Sequence, residues 1–449
     1  MIFREKYARY SSSSFIKNLL YSVSGNSLVL GIGFIITPIV AKIYGPSVYG
    51  DFALFTAICG FIIPYSALQL PAGYVAAKNR AEFFVLIRIS FYSLFLITTI
   101  TFIVVIIYQF IFATDVKYYF FMIPAYVFLG GMFGIFRGWN IKIQEFKSSA
   151  KAKIYATAFG KSTTLFYGIA YPFSATGLVL GSLVTFLIES AGIITKRVII
   201  EGKLLIRNKY GKTIYLEVLK KYKQYPTFVA FSSIVNAVST QLPIYFLAAY
   251  YSSDKVGLFS LSLSLIQIPI NLIGTSIASV FLPKIAGVLR QKEERNRIVK
   301  SLYNKLFYPS MAGLVLLAAV FYLLLTPLLG IEWESASTLS SFMVVSFAFG
   351  IVSLPLSVIF RLIDFEKANF QISLVGIFVK TGGLIVGILL VNFQFTVFLY
   401  LLIVMLENAF KVLVLFRELQ LSNLTVIRDT VIAIIVYFTS YYVVFFVIK

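Results

Sequence analysis

Lys161-Ser162-Thr163-Thr164-Leu165, followed by Gly168 and then Glu189-Ser190-Ala191, is written twice in this chain. The second copy reads Lys380-Thr381-Gly382-Gly383-Leu384, then Gly387, then Glu407-Asn408-Ala409. Lysine precedes glutamate by 28 residues in the first copy and by 27 in the second. All four charges fall inside apolar segments long enough to cross a bilayer. An ionised side chain there is unfavourable by about 2.5–3.5 kcal/mol on insertion scales, so it marks a functional site by default. A repeated charged couple predicts two related halves with polar chemistry in their interior.

Working outward, the rest of the chain is as apolar as these segments. Of 449 residues 59% are hydrophobic and 13% charged, with a mean hydropathy of +0.90. A soluble domain is nearer half apolar and a quarter charged. Apolar runs of membrane-spanning length recur at 19–41, 51–70, 83–112, 119–138, 153–172 and 175–195. They resume at 225–250, 257–283, 302–328, 338–361, 370–391, 395–416 and 428–448. The fold class is therefore an all-α polytopic membrane protein with thirteen segments. The first is too long for a signal-peptide core and is kept as a helix.

The net charge of +21 raises a nucleic-acid reading. The placement of the charge rejects it. With the N-terminus in the cytoplasm, 32 of the 39 Lys and Arg fall in inside segments and 4 in outside ones. The other three, Arg88, Lys161 and Lys380, lie within helices. Such alternation is the positive-inside rule, and it predicts a multi-pass membrane protein with a cytoplasmic N-terminus. The richest basic stretch, 196–224, mixes Lys and Arg with Leu, Ile and Val. It predicts an interfacial helix against anionic membrane lipids, linking the halves.

Further echoes keep the same order. Gly50-Asp51-Phe52-Ala53-Leu54 answers to Gly257-Leu258-Phe259-Ser260-Leu261, 207 residues on. Ile135-Phe136-Arg137 answers to Ile359-Phe360-Arg361, 224 on. Six helices per half, an even number, give both copies the same orientation, a parallel repeat about an axis along the membrane normal. The expected organisation is a bundle over 1–200, a basic linker over 201–224, a bundle over 225–418 and an extra helix at 428–448.

The segment Ile43-Tyr44-Gly45-Pro46-Ser47-Val48-Tyr49-Gly50-Asp51-Phe52 resembles the short-loop signature of polysaccharide flippases. These are the Wzx-type proteins of the multidrug/oligosaccharidyl-lipid/polysaccharide exporter superfamily. The resemblance extends over roughly residues 15–416. It implies two six-helix bundles around a central cavity. It implies passage of an undecaprenyl-pyrophosphate-linked oligosaccharide from the cytoplasmic to the outer leaflet, for O-antigen or another surface polysaccharide. The polysaccharide polymerase machinery is then a partner. The thirteenth segment departs from a plain twelve-helix pattern.

The charged positions support two readings. In one, each Lys and Glu form an ion pair that neutralises two costly charges. In the other, Lys161 and Lys380 meet pyrophosphate as point charges, and Glu189 and Glu407 couple transport to an ion. Arg88 either joins the anion site or extends to the headgroups. The resemblance places helices 1, 2, 7 and 8 around the cavity. Asn26, Gln69, Asn236, Gln241, Gln267 and Asn271 are then candidates to hydrogen-bond sugar hydroxyls. Helix-to-helix bonding is the alternative.

No catalytic arrangement is present. The chain has no His, a single Cys at 59 and no Walker-type glycine loop. A metal site, a bound cofactor and ATP hydrolysis are therefore not expected, and an ion gradient is the simplest energy source. A cation-coupled drug exporter of the same superfamily is the rival transport reading. A membrane-bound sugar polymerase is the rival enzymatic one, opposed by short outside loops.

Overall fold

The computed structural model describes residues 12–112, 117–289, 291–363, 365–390 and 392–444, with side chains described from Leu28 onward apart from scattered positions. Among the described residues the chain is helical, with no strand. This follows from the solvent: in hydrocarbon a backbone must satisfy its own N–H and C=O groups, and a helix does so within one segment. Eleven described helices are long and apolar enough to cross a membrane.

One of these, within Ser12–Ser66, is bent where Gly45 takes φ 71° and ψ 171°, which divides it into α1 (12–44) and α2 (46–66). Next come α3 (Arg80–Ile107), α4 (Ile123–Ile143), α5 (Phe146–Ala170), which is not one of the eleven, and α6 (Thr176–Ile193), followed by the linker helices α7 (Lys196–Arg207) and α8 (Lys212–Lys221). Then come α9 (Ala230–Tyr250), α10 (Ser253–Gly287), α11 (Lys292–Leu329), α12 (Glu334–Met343), α13 (Ala348–Leu362), α14 (Glu366–Leu390), α15 (Phe393–Glu418) and α16 (Asn423–Tyr442). A short 3-10 turn, Val344–Phe347, joins α12 to α13 within one span. Over the described residues each expected segment coincides with a helix, an arm of one or such a joined pair, but that at 153–172 falls on α5, which is not among the helices apolar enough to cross a membrane, and residues 445–448 of the last lie outside the described residues. Several begin earlier than the apolar run, because the helix continues into basic interfacial turns. The last begins at Asn423, not 428, so Arg428 and Asp429 lie inside it.

By contact the chain forms two units. The first comprises Met1–Ile32 and Phe55–Ala237, the second Gly33–Leu54 and Val238–Lys449. In the first unit α5 and α6 approach closely. Ala152, Ala156, Gly160, Thr164 and Gly168 recur every four residues along α5, and all are buried. A Cβ on Gly160 would lie 2.6 Å from the Gly181 carbonyl oxygen, and one on Gly181 would lie 2.7 Å from that of Gly160. Small residues at this spacing let two membrane helices touch backbone to backbone.

The same unit holds the linker. Val198, Val218 and Tyr222 are buried in one apolar cluster with Phe83, Leu86, Trp139 and Tyr74. Trp139 Nε1 donates to Glu201 at 2.8 Å. The Tyr222 hydroxyl donates to Glu82 at 2.7 Å, and Lys221 pairs with the same carboxylate. Burial and the adjacent Glu82 hold the Tyr222 phenol above its ordinary pKa. The basic linker is thus two helices docked on the ends of α3 and α4. Ile199, Ile206 and Leu216 remain exposed on their outer sides.

In the second unit the starts of α2 and α10 touch. A Cβ on Gly50 would fall 1.9 Å from the Ser253 carbonyl oxygen, and one on Gly257 would fall 1.8 Å from that of Pro46. Only glycine permits either approach. Ser253 Oγ donates to Asp51 at 2.9 Å. The last helix, α16, is held by a buried acid: Asp429 is fully buried and accepts from Tyr303 at 3.0 Å and Tyr308 at 2.9 Å on α11.

Candidate functional site

The two Lys–Glu couples lie on adjacent helix pairs, α5 with α6 and α14 with α15. Their side chains have different surroundings. In the second copy Lys380 Nζ sits 2.8 Å from Glu407 Oε2, and both groups are buried. Lys411, one turn beyond Glu407, holds its other oxygen at 2.8 Å. Lys380 also donates to Ser239 on α9. The result is a closed cluster of two cations, one carboxylate and a hydroxyl. Glycine makes it possible: a Cβ on Gly376, one turn before Lys380, would meet Glu407 Oε2 at 2.6 Å.

In the first copy the ion pair does not form. Lys161 is half-buried and has no hydrogen-bond or ion-pair partner among the described residues. Glu189 is half-buried too, and the charges that act on it are Lys153 and Arg137. These three line a cleft of about 360 Å³ at the ends of α4, α5 and α6 nearest the linker, with Ser149 and a wall that includes Phe133 and Phe146. By the repeat offset of 219, Gly376 corresponds to Thr157. Thr157 stands there, its hydroxyl bonded back to the Lys153 carbonyl at 2.8 Å. Among the described residues the intra-half ion pair expected for both copies is found in the second alone.

Arg88 turns its donors onto the linker. It donates to the Leu205 and Asn208 carbonyls and to the Tyr215 hydroxyl at 3.1 Å, and it lies 5.5 Å from the centre of the Tyr210 ring. Its donors close the end of α7 and the start of α8 onto α3. Gln69 occupies the break after α2 with φ 53°, and its amide donates to the Pro64 carbonyl at 2.9 Å. Gln241 on α9 and Gln267 on α10 are half-buried and make no hydrogen bond among the described residues. Asn236 and Asn271 make contacts of their own. The Asn26 and Arg361 side chains lie outside the described residues.

Three site residues escaped the sequence reading. Lys153 and Arg137 were not among the expected site residues, yet they line one cleft with Glu189. Asp429 carried a legible signal, an acid within the last apolar segment, beside Arg428. Among the described residues no cluster of ligating side chains suits a metal ion.

Long apolar helices in two helical units define a multi-pass membrane protein. The chain belongs to the polysaccharide biosynthesis protein family, whose profile matches residues 39–338. Its fold is similar to that of the lipid II flippase MurJ in an inward closed conformation, at 15% identity and TM-score 0.57, covering 95% of this chain and 91% of that one. It is also similar to an inward-facing multidrug resistance MATE family transporter of the MOP superfamily, at 12% identity and TM-score 0.54, covering 94% and 95%. At such identities the likeness establishes the fold. No curated protein matches the sequence significantly.

Proposed function

We propose that this protein is a flippase for a polyprenyl-pyrophosphate-linked oligosaccharide, moving it from the cytoplasmic to the outer leaflet of a bacterial inner membrane by ion-coupled alternating access. One observation carries the reading. A chain of the polysaccharide biosynthesis family takes up the fold of a lipid II flippase while keeping ionisable side chains inside its membrane helices. Lys161 is the candidate for the pyrophosphate, since a half-buried ammonium without a counter-charge attracts an anion. Gln241 and Gln267 have free amide capacity for sugar hydroxyls, and Asn26 belongs with them by its place in the first helix. Glu189 is the ion-coupling candidate. Lys380 and Glu407 hold the second unit together, and Arg88 and Gln69 hold local structure. The N-terminus lies in the cytoplasm with the linker.

Complementation of a flippase-null strain supplied with a defined oligosaccharide precursor tests this. The wild-type chain restores surface polysaccharide, and Lys161→Ala removes most of it at an unchanged protein level. Failure of the wild-type chain with every precursor rejects the flippase reading. Drug resistance in place of polysaccharide moves the chain to the exporters of the same superfamily.

A further inference from the structure

We infer that the cleft between the linker-side ends of α4, α5 and α6 is a landing site for the phosphate group of a polyprenyl-linked lipid, held by Arg137 and Lys153 and opposed by Glu189. The inference rests on the flippase reading and assigns it a first binding step.

The cleft has a phosphate's chemistry. Arg137 offers a planar fork of donors and Lys153 a point charge. One carboxylate against two cations leaves the cleft net positive. Its volume of about 360 Å³ lies at the small end of ligand sites, which run from about 300 to 1,000 Å³. That admits a headgroup and excludes a whole oligosaccharide. The wall of Phe133, Ile141 and Ile193 beside the charges suits the first carbons of a lipid chain.

Its depth fits as well. Arg137 lies six residues from the end of α4, Lys153 seven from the start of α5 and Glu189 four from the end of α6. At 1.5 Å per residue these are roughly 9, 10 and 6 Å. The hydrocarbon core is about 30 Å thick, so the cleft sits near headgroup level and not at the midplane. The next cation along α5 is Lys161, eight residues deeper, which has no partner among the described residues.

Glu189 gives the site its sign. It faces the same cations that the phosphate would occupy, so carboxylate and ligand compete for them. Among the described residues the second copy closes around its acid instead, with Lys380, Lys411 and Ser239 surrounding Glu407.

Binding of undecaprenyl pyrophosphate to the full chain in phosphatidylcholine nanodiscs, read by native mass spectrometry, tests the cleft. The double variant Arg137→Gln with Lys153→Gln is expected to weaken binding at least tenfold, and Lys153→Arg to preserve it. Glu189→Gln is expected to tighten binding severalfold. A purely structural Glu189 predicts the opposite, so weaker binding in that variant overturns its opposing role. Unchanged binding in the double variant overturns the cleft itself. Displacement of the probe by an equal amount of phosphatidylglycerol assigns the phosphate to bulk lipid and overturns the polyprenyl assignment. The flippase reading fails separately, in the complementation assay with the wild-type chain.

Discussion

At position 376 a hydrogen atom stands where position 157 carries a hydroxyethyl group. That difference lets the Glu407 carboxylate lie against the backbone of α14 and reach Lys380. At the matching place in α5 stands Thr157, whose hydroxyl bonds back to the Lys153 carbonyl, and Lys161 forms no ion pair among the described residues. The two lysines should therefore answer oppositely to removal. Lys380→Ala leaves Glu407 buried with Lys411 alone, and breaking a buried pair from one side costs about 3–5 kcal/mol. Lys161→Ala removes a cation without orphaning an acid, so stability should hold or rise. Thermal unfolding of the detergent-solubilised variants checks both, and equal losses would sink the distinction. The lysines and glutamates were legible because charges are conspicuous in apolar runs. Their partners were not, because a side chain's reach depends on rotation about the helix and on the bulk of the residue facing it.

Helices in this chain meet through small residues, and the linker meets the bundle through charge. The stripe Ala152, Ala156, Gly160, Thr164 and Gly168 brings α5 onto α6 and so sets Lys153 beside Glu189. The linker helices depend on Arg88, whose donors engage the Leu205 and Asn208 carbonyls where α7 gives way to α8. Arg88→Ala orphans these groups, each hydrogen bond to a charged donor being worth about 1.5–3 kcal/mol. Trypsin should then cut at Lys203, Arg207, Lys209 or Lys212 several times faster, while the melting temperature of the bundle shifts little. Unchanged cleavage would show that the apolar faces of Val198 and Val218 suffice to hold the linker. Apolar periodicity made the helices legible, since length and composition decide whether a segment spans. The docking of α7 was not, because Arg88 and Leu205 are far apart in sequence and meet only after folding.

For the whole molecule, the charge distribution predicts an orientation. The linker and the ends of α4 and α5 are basic, whereas the α1–α2 and α9–α10 connections are nearly free of charge. Cys59 is buried, so the background for thiol labelling is low. Lys209→Cys should react with an impermeant maleimide only in opened cells, and Ser252→Cys in intact ones; the reverse pattern would invert the proposed topology. The reciprocal approach of Gly50 to Ser253 and of Gly257 to Pro46 is separated by 207 residues in both members, as a local two-fold relation requires. From the sequence alone came the helical class, the spanning segments and the charged couples, because hydrophobic length and the cost of a buried charge are local properties of the chain. The tertiary structure alone decided which cation each glutamate meets, where Arg88 spends its donors and that Asp429 anchors the last helix. These are contacts between distant residues, and helix rotation and close packing select them.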